Sequence, residues 1–251
     1  MLRIDDLQVK IGDKEVLQHI DLEINEGETH ILFGPNGSGK TSLLMTIMGY
    51  PQYEITAGKI IFRGEDITRM PVYERARLGI GMSFQRPPTI HGLKTRQMVQ
   101  ICANKDVDVE KLAAKVNFTE FLERDINAGF SGGEIKRSEL LQLIAQDASL
   151  LLFDEPESGV DLENISLIGN TISELLQRDF KIDPDKTQKQ IRNDRTRMGL
   201  IITHTGFILD YVTADKGQVL YNGVLTCRSN PLEIFKCIKQ MGYEECVRCT
   251  I

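Results

Sequence analysis

The stretch Gly34-Pro35-Asn36-Gly37-Ser38-Gly39-Lys40-Thr41 fits the phosphate-binding pattern G-x-x-x-x-G-K-[ST]. The apolar run at residues 29–33 before it predicts a strand, and residues 42–48 after it predict a helix, which is the setting of a P-loop. Its glycines let the backbone curl around a polyphosphate, so that successive N–H groups and the positive end of the helix face the anion. Lys40 is expected to reach the β- and γ-phosphates, and the Thr41 hydroxyl to bind Mg²⁺.

Length and charge favour a soluble α/β protein. The 251 residues suffice for one large α/β domain, and 41% of them are hydrophobic, which supports an ordinary buried core. The net charge of -6 argues against non-specific binding to nucleic acid or to an anionic membrane surface. No apolar run approaches the roughly 18 residues that a membrane span needs, and residues 1–6 do not resemble a signal peptide. We therefore expect a cytoplasmic protein with no direct membrane insertion, which would serve a membrane only through a partner.

The five cysteines are odd in number and crowded toward the C-terminus, which is not the pattern of a secreted disulfide framework. We expect reduced thiols. Cys246 and Cys249 have the C-x-x-C spacing of metal ligands or of a redox pair. Without a second such pair, two interpretations stay open: incidental reduced cysteines, or transient contact with a metal or cluster.

The first third of the chain predicts strands around the P-loop. Alternating segments at residues 7–11, 20–24 and 58–64 predict a small antiparallel sheet. Residues 72–78 predict a short helix, and residues 80–84 predict a core strand leading into Gln85.

Residues 86–148 are predicted to form a helical subdomain inserted into the core. Two prolines at its start force an extended break, and helical patterns follow at residues 95–103 and 109–122. The uninterrupted apolar run at residues 149–153 then predicts a strand covered on both faces.

The α/β core is predicted to continue to the end of the chain. Apolar residues at helical spacing over 162–176 predict a crossover helix, and residues 199–203 predict the next core strand. Two alternating segments and a helix with Asn230 as its N-cap close the chain. The charged segment 179–197 is predicted to be a solvated excursion, although such a segment also suits a partner.

The fold class is therefore α/β. We predict a single domain over residues 1–251, in which residues 1–85 and 149–251 form a nucleotide-binding core with an antiparallel β-subdomain.

Two further motifs add chemistry to the P-loop. Asp154 and Glu155 follow an apolar strand, at the sheet edge where ligands bind. Asp154 is expected to hold Mg²⁺, and Glu155 to polarise an attacking water as general base. Ser131-Gly132-Gly133-Glu134 precedes a helical run and predicts a second anion-binding helix start, which a single nucleotide does not need.

Six motifs, in this order, resemble those of the ABC ATPases over essentially the whole chain. They are Gly34 to Thr41, Gln85, Ser131 to Glu134, Asp154-Glu155, Ser158 to Asp161, and His204.

The resemblance implies a P-loop ATPase in which two copies face each other head to tail, with each ATP held between one P-loop and the other copy's Ser131 segment. It also implies that Gln85 senses Mg²⁺ and the attacking water, that Asp161 contacts the opposite site, and that His204 holds the γ-phosphate and the base in register. The implied ATP-binding set is Gly34, Pro35, Asn36, Gly37, Ser38, Gly39, Lys40, Thr41, Ser42, Ser131, Gly132, Gly133, Glu134 and Asp161; the Mg²⁺ set is Thr41, Gln85 and Asp154; and the catalytic set is Lys40, Gln85, Glu155 and His204.

A narrower resemblance is to the SufC-type ATPases of the Suf iron–sulfur cluster assembly machinery. It rests on residues 53–58, 82–87, 131–137 and 203–211. Within these motifs Glu134 stands where transporter ATPases usually carry Gln.

Three further features bear on this narrower resemblance. Ile11 stands where transporter ATPases usually carry an aromatic that stacks on adenine, and SufC-like chains share its absence. The segment 179–197 and the terminal cysteines depart from the bacterial SufC pattern.

This narrower resemblance implies that residues 86–121 grip a SufB- or SufD-like scaffold protein, which ATP-driven closure would deform so that iron or sulfur can enter. Two alternatives remain. One is a nucleotide-binding subunit of an ABC transporter. The other is a non-hydrolysing switch or a DNA-maintenance ATPase, which the acidic charge, the retained Glu155 and the lack of a long coiled-coil insertion disfavour.

Overall fold

The computed structural model describes residues 1–178 and 187–248. The predicted antiparallel sheet is present, in the order β2-β1-β4-β5. Its strands are β1 (Leu2–Ile11), β2 (Lys14–Ile24), β4 (Glu54–Phe62) and β5 (Glu65–Asp66). The first two strands exceed the alternating segments because a two-residue turn at Gly12-Asp13 joins them directly.

The central sheet has six strands in the order β12-β11-β3-β10-β9-β6. They are β3 (Thr29–Phe33), β6 (Ile80–Ser83), β9 (Leu150–Asp154), β10 (Met198–Ile202), β11 (Lys216–Tyr221) and β12 (Val224–Ser229). All neighbours are parallel except β12, which pairs antiparallel with β11.

The central sheet is buried on both faces, as the apolar runs predict. In β3, Ile31 and Phe33 belong to the core that the later helices cover, whereas Leu32 belongs to the core shared with the antiparallel sheet. In β9, Leu151 and Leu152 divide in the same way. Such burial removes the polar alternation that would mark a half-exposed strand.

Eight α-helices accompany the two sheets in the described part of the chain. They are α1 (Lys40–Met48), α2 (Val72–Arg77), α3 (Thr95–Cys102), α4 (Val109–Lys115), α5 (Gly132–Gln146), α6 (Leu162–Leu175), α7 (Gln188–Asn193) and α8 (Pro231–Arg248). None of them is long and apolar enough to cross a bilayer.

The prediction of one helix over residues 109–122 is wrong. Helix α4 ends at Lys115, Asn117 has a left-handed backbone with φ 50°, and a short 3₁₀ turn follows at Thr119–Phe121. The reversal puts the Phe118 ring 4.9 Å from Phe121 and 5.5 Å from Phe130, measured between centroids. Packing of these rings outweighs the local helical pattern.

Two other features near the helices differ from the sequence expectations. An unpredicted two-stranded ribbon, β7 (Ile90–Lys94) with β8 (Asp125–Ile126), lies between β6 and α5. Helix α8 has the predicted cap, since Asn230 Oδ1 accepts from Leu232 N–H at 2.9 Å, but it is broken at Gly242 (φ 80°, ψ 172°). Of the charged segment 179–197, residues 179–186 lie outside the described residues, as does Cys249.

Candidate nucleotide-binding site

The order of the central sheet brings four sequence motifs to one edge. The adjacent strands β3, β10, β9 and β6 are parallel, so their carboxyl ends meet there. They lead respectively into the P-loop, His204, Glu155 and Gln85.

The P-loop leaves no room for side chains at two of its glycines. A Cβ on Gly34 would lie 2.3 Å from Leu220 O, and one on Gly39 would lie 2.8 Å from Val16 O. Gly39 also has a left-handed backbone with φ 105° where it begins α1. The spacing of glycines in the motif therefore reflects close approach to the neighbouring hairpins as well as to a phosphate.

The side chains of Lys40 and Ser38 make the P-loop a suitable binding site for an anion. Lys40 is 6% exposed, and its ammonium donates to Gly34 O at 2.8 Å and Pro35 O at 2.9 Å. Burial lowers the pKa of Lys40, and the carboxylates of Glu155 and Asp154 oppose this. Ser38 Oγ is buried without a hydrogen-bond partner. A polyphosphate would satisfy both groups.

Thr41 and Asp154 form an oxygen pair that fits a hard divalent cation. Thr41 Oγ1 donates to Asp154 Oδ2 at 2.9 Å. Burial raises the pKa of Asp154, the Thr41 bond opposes this, and the charge of Glu155 raises it further. A nearby cation would favour the charged carboxylate, so the donor set fits Mg²⁺.

The carboxylate of Glu155 is held from two sides. Gln85 Nε2 donates to one oxygen at 2.6 Å, and His204 Nδ1 lies 3.1 Å from the other. The backbone of Glu155 is left-handed with φ 48°, and its N–H donates to Ile202 O at 3.1 Å. This conformation, uncommon for a non-glycine residue, directs the carboxylate to the sheet edge beside the P-loop.

A cavity of about 660 Å³ opens over these groups. Its walls include residues that the sequence analysis missed. They are Lys14, Glu15, Val16, Asn222 and Gly223.

These residues lie in or beside the turns of two hairpins that the fold brings against the P-loop. Gln18 N–H donates to Gly223 O at 2.8 Å, and Gly223 N–H donates to Ser38 O at 3.1 Å. Asn222-Gly223, with φ 49° and 78°, is a dipeptide typical of hairpin turns, but neither turn carries a nucleotide-binding motif, so the sequence marks a hairpin and not its place in the cavity.

The Ser131 segment is an N-terminal capping box rather than part of this cavity. Ser131 Oγ accepts from Glu134 N–H at 3.3 Å, and Glu134 Oε2 accepts from Ser131 N–H at 2.8 Å. Asp161 caps α6 by accepting from Asn164 N–H at 2.9 Å. Ser131 and Asp161 are exposed, and no residue of either cap lines the cavity.

A buried ion pair joins α5 to the end of β6, next to Gln85. Lys136 Nζ lies 3.3 Å from Glu139 Oε2 and also donates to Phe84 O. Glu139 accepts from Ser83 Oγ at 2.9 Å and from Phe84 N–H at 2.7 Å. Burial raises the pKa of Glu139, which these contacts oppose. Sequence analysis missed this pair because its partners, Ser83 at the end of β6 and the following Phe84, lie more than fifty residues away.

Comparison with known proteins agrees with this geometry. The family model described as "ABC transporter" matches residues 17–158. "Probable ATP-dependent transporter SufC" of Escherichia coli (strain K12) is 32% identical over 259 residues, covering 97% of each chain. "Probable ATP-dependent transporter ycf16" of Cyanidium caldarium is 35% identical, covering 97% of this chain and 95% of that protein.

The fold has solved counterparts. A structure described as a nucleotide-free ATP-binding cassette from an ABC transporter superposes with a TM-score of 0.77 over 98% of each chain, at 21% identity. The ordered motifs, their convergence at one sheet edge and these similarities lead to one conclusion: the chain belongs to the ABC ATPase family and is an ATP-hydrolysing enzyme.

Proposed function

We propose that this ATPase is the SufC-type subunit of an iron–sulfur cluster assembly machinery, and that it drives conformational change in a SufB- or SufD-like scaffold. The observation that carries the proposal is the similarity to the protein named SufC along 97% of both chains. A match confined to the P-loop region would support only nucleotide binding.

The hydrolytic roles follow from the contacts in the cavity. Lys40 releases its two backbone carbonyls and binds the β- and γ-phosphates of ATP. Thr41, Asp154 and Gln85 would hold Mg²⁺, which neutralises phosphate charge when bound. The Glu155 carboxylate accepts the proton of the attacking water. Gln85 and His204 hold that carboxylate in position.

The remaining P-loop residues and the two distant caps complete the nucleotide set. Residues 34–39 and Ser42 surround the phosphates through the loop and the start of α1. Ser131, Gly132, Gly133, Glu134 and Asp161 serve the site of a second copy. The exposure of Ser131 and Asp161, away from their own cavity, supports this shared-site dimer. ATP binding would therefore close the dimer within the complex.

We propose a division of the chain in which residues 86–148 form the helical subdomain and residues 1–85 and 149–251 form the core. An apolar cavity of about 230 Å³ lies where the two parts meet. It is lined in part by Tyr50, Phe84 and Met98. A helix of the scaffold fits such a surface better than a small polar ligand does.

Phe84 links this apolar cavity to the nucleotide-binding site. Its ring packs edge-on against Tyr50, with 6.3 Å between centroids, and its backbone N–H and C=O are bound by Glu139 and Lys136. Gln85 follows it directly and donates to Glu155. A scaffold helix that moves Phe84 would therefore shift the hydrogen bond on the catalytic carboxylate.

The test compares how well wild type and two variants on helix α3 retain the partner protein in a pull-down. Met98→Arg places a charge in the apolar cavity, whereas Gln100→Arg adds the same charge on the exposed side of the helix. From native extracts, we expect wild type and Gln100→Arg to retain a stoichiometric soluble SufB- or SufD-like protein, and Met98→Arg to lose it. An integral membrane partner would instead support the transporter alternative, which the word "transporter" in the names of these relatives suggests.

A further inference from the structure

Three cysteines that no part of the ATPase mechanism uses meet beside helix α8. Cys227 lies on β12, Cys237 on α8, and Cys246 beyond the break at Gly242. Burial and then the thiols of Cys237 and Cys227 raise the pKa of Cys246, so the three side chains lie near one another, and all three pack in the same core cluster. Cys246 is buried, while Cys227 and Cys237 are half-buried, and all three are free thiols.

The break at Gly242 brings Cys246 back to Cys237. The two cysteines are nine positions apart in the sequence, which in a straight helix would place them about 13 Å apart along the axis. Gly242, with φ 80° and ψ 172°, occupies a backbone region that is essentially restricted to glycine. The chain therefore changes direction there, which lets Cys246 approach Cys237.

The same segment contacts the beginning of the P-loop. Burial raises the pKa of Tyr243 and the neighbouring Gly34 N–H opposes this, so the Tyr243 side chain lies beside the start of the P-loop. The Phe235 ring stacks on Phe33, with centroids 5.9 Å apart and planes 13° apart. Helix α8 thus contacts Phe33 and Gly34, on either side of the Gly242 break.

We propose that Cys237 and Cys246 are a redox modification site, where a reversible disulfide fastens the segment beyond Gly242 and with it the Tyr243 contact to Gly34. The oxidant is a low-molecular-weight disulfide. Cys237 is more exposed than Cys246, so its thiolate attacks the small disulfide, forms a mixed disulfide and releases one small thiolate. The Cys246 thiolate then attacks the Cys237 sulfur and releases the second small thiolate. The two expelled thiolates take the protons that the cysteines lost.

A metal centre is the weaker interpretation of this cluster. Among the described residues, no group of three or more His, Cys, Asp or Glu side chains is arranged to hold a metal ion.

The first experiment is oxidation of the full chain with oxidised glutathione, followed by intact mass and peptide mapping. We expect a mass decrease of two hydrogens and a peptide linked through Cys237 and Cys246, reversed by a dithiol. Cys227→Ser and Cys102→Ser should form the same link, since neither belongs to the pair. Cys237→Ser should not. A Cys227–Cys246 link in the wild type, or glutathione adducts without any internal link, would overturn the assignment.

The second experiment tests the connection to the P-loop by hydrogen exchange. In the disulfide form, exchange of the Gly34 amide should slow by roughly tenfold or more relative to the reduced form, because the tether opposes opening of the segment. Cys237→Ser treated in the same way should show no slowing, and Tyr243→Phe should lose the slowing while keeping the disulfide. Equal exchange in oxidised and reduced wild type would refute the proposed connection.

Discussion

Gln85 and His204 hold the Glu155 carboxylate from both sides, so the carboxylate needs little rearrangement for its proposed role as general base. Glu155→Gln should lower hydrolysis by about 10²- to 10⁴-fold, since the amide cannot accept the proton of water. ATP affinity should change little because the P-loop is untouched. Phosphate release and equilibrium ATP binding measure the two effects.

Glu65→Gln is the matched control, because it removes an exposed carboxylate on β5 away from the cavity. It should leave both quantities unchanged. Full hydrolysis in Glu155→Gln would mean that another group takes the proton.

Glu28 predicts a pH dependence of stability. Burial alone would raise its pKa, but hydrogen bonds from Lys216 Nζ at 2.8 Å and Asn25 N–H at 3.0 Å, with His30, outweigh this and lower it to about 2. The native state keeps this carboxylate charged at pH values where the unfolded chain protonates it. Its stabilisation is therefore complete above about pH 4.5 and is lost as the pH falls toward 2.

Glu28→Gln should consequently lower the free energy of unfolding by about 2 kcal/mol at pH 7 and by less at pH 3. Denaturant unfolding of mutant and wild type at both pH values measures the difference. Glu120→Gln, at an exposed turn, should show no such pH-dependent loss. An equal deficit at both pH values would contradict the pKa argument.

The site residues that sequence could identify are those whose chemistry depends on local spacing. Lys40, Thr41 and Asp154 occur in short motifs, each at the end of a strand. The residues that define each motif are close in sequence, so the sequence alone identifies them. Val16 and Tyr243 reach the P-loop only through tertiary packing. No local pattern can encode such a contact.

At the level of the helices, two substitutions of Ser131 distinguish its structural role as the N-cap of α5 from its proposed role in hydrolysis. Ser131→Ala should lower the unfolding free energy by about 1 kcal/mol, equivalent to roughly 2–4 °C in Tm for a chain of this size. Ser131→Asp keeps a good cap and should leave Tm near that of the wild type. It should nevertheless impair hydrolysis, because in the proposed dimer it puts a negative charge toward the phosphates of the opposite copy. Thermal unfolding and phosphate release together test both variants.

The backbone of Gly242 in α8 leads to a prediction about stability. Gly242→Ala should destabilise the chain by about 1–3 kcal/mol, because alanine strains the backbone although no atom lies within 4 Å of its Cβ. Gly12→Ala also meets open space but sits at φ 56°, a region that alanine tolerates better, so its loss should be smaller. Chemical denaturation compares them. Equal losses would show that the Gly242 backbone is not specially restricted.

Elements buried on both faces of the central sheet were predictable because a short, continuous apolar run between polar residues is typical of a strand covered on both sides. Elements decided by distant contacts were not. The end of α4 depends on the Phe118, Phe121 and Phe130 rings, and the break in α8 depends on where Cys246 and Tyr243 pack. A single glycine within an apolar periodic pattern is compatible with an unbroken helix.

For the whole molecule, the separation of the Ser131 and Asp161 caps from the P-loop cavity predicts assembly. Glu155→Gln with Mg·ATP and the proposed scaffold should run as a dimer of the ATPase, because in the proposed shared site the phosphates bridge two copies and are not hydrolysed. Adding Ser131→Arg should abolish that dimer, while the P-loop of each copy stays intact and still binds ATP. Light scattering coupled to size exclusion measures both. If Glu155→Gln stays monomeric at high protein concentration under these conditions, the proposed shared site is contradicted.

The left-handed backbone of Glu155 has a consequence for how such genes diverge. Glycine suits that conformation better than any side chain, so the substitution that best relieves the backbone also removes the proposed base. Random drift toward a more relaxed fold and selection for turnover therefore act in opposite directions at this position. In a duplicated copy freed from the need to hydrolyse ATP, this carboxylate should disappear early, while the glycines and lysine of the P-loop persist as long as nucleotide binding is still useful.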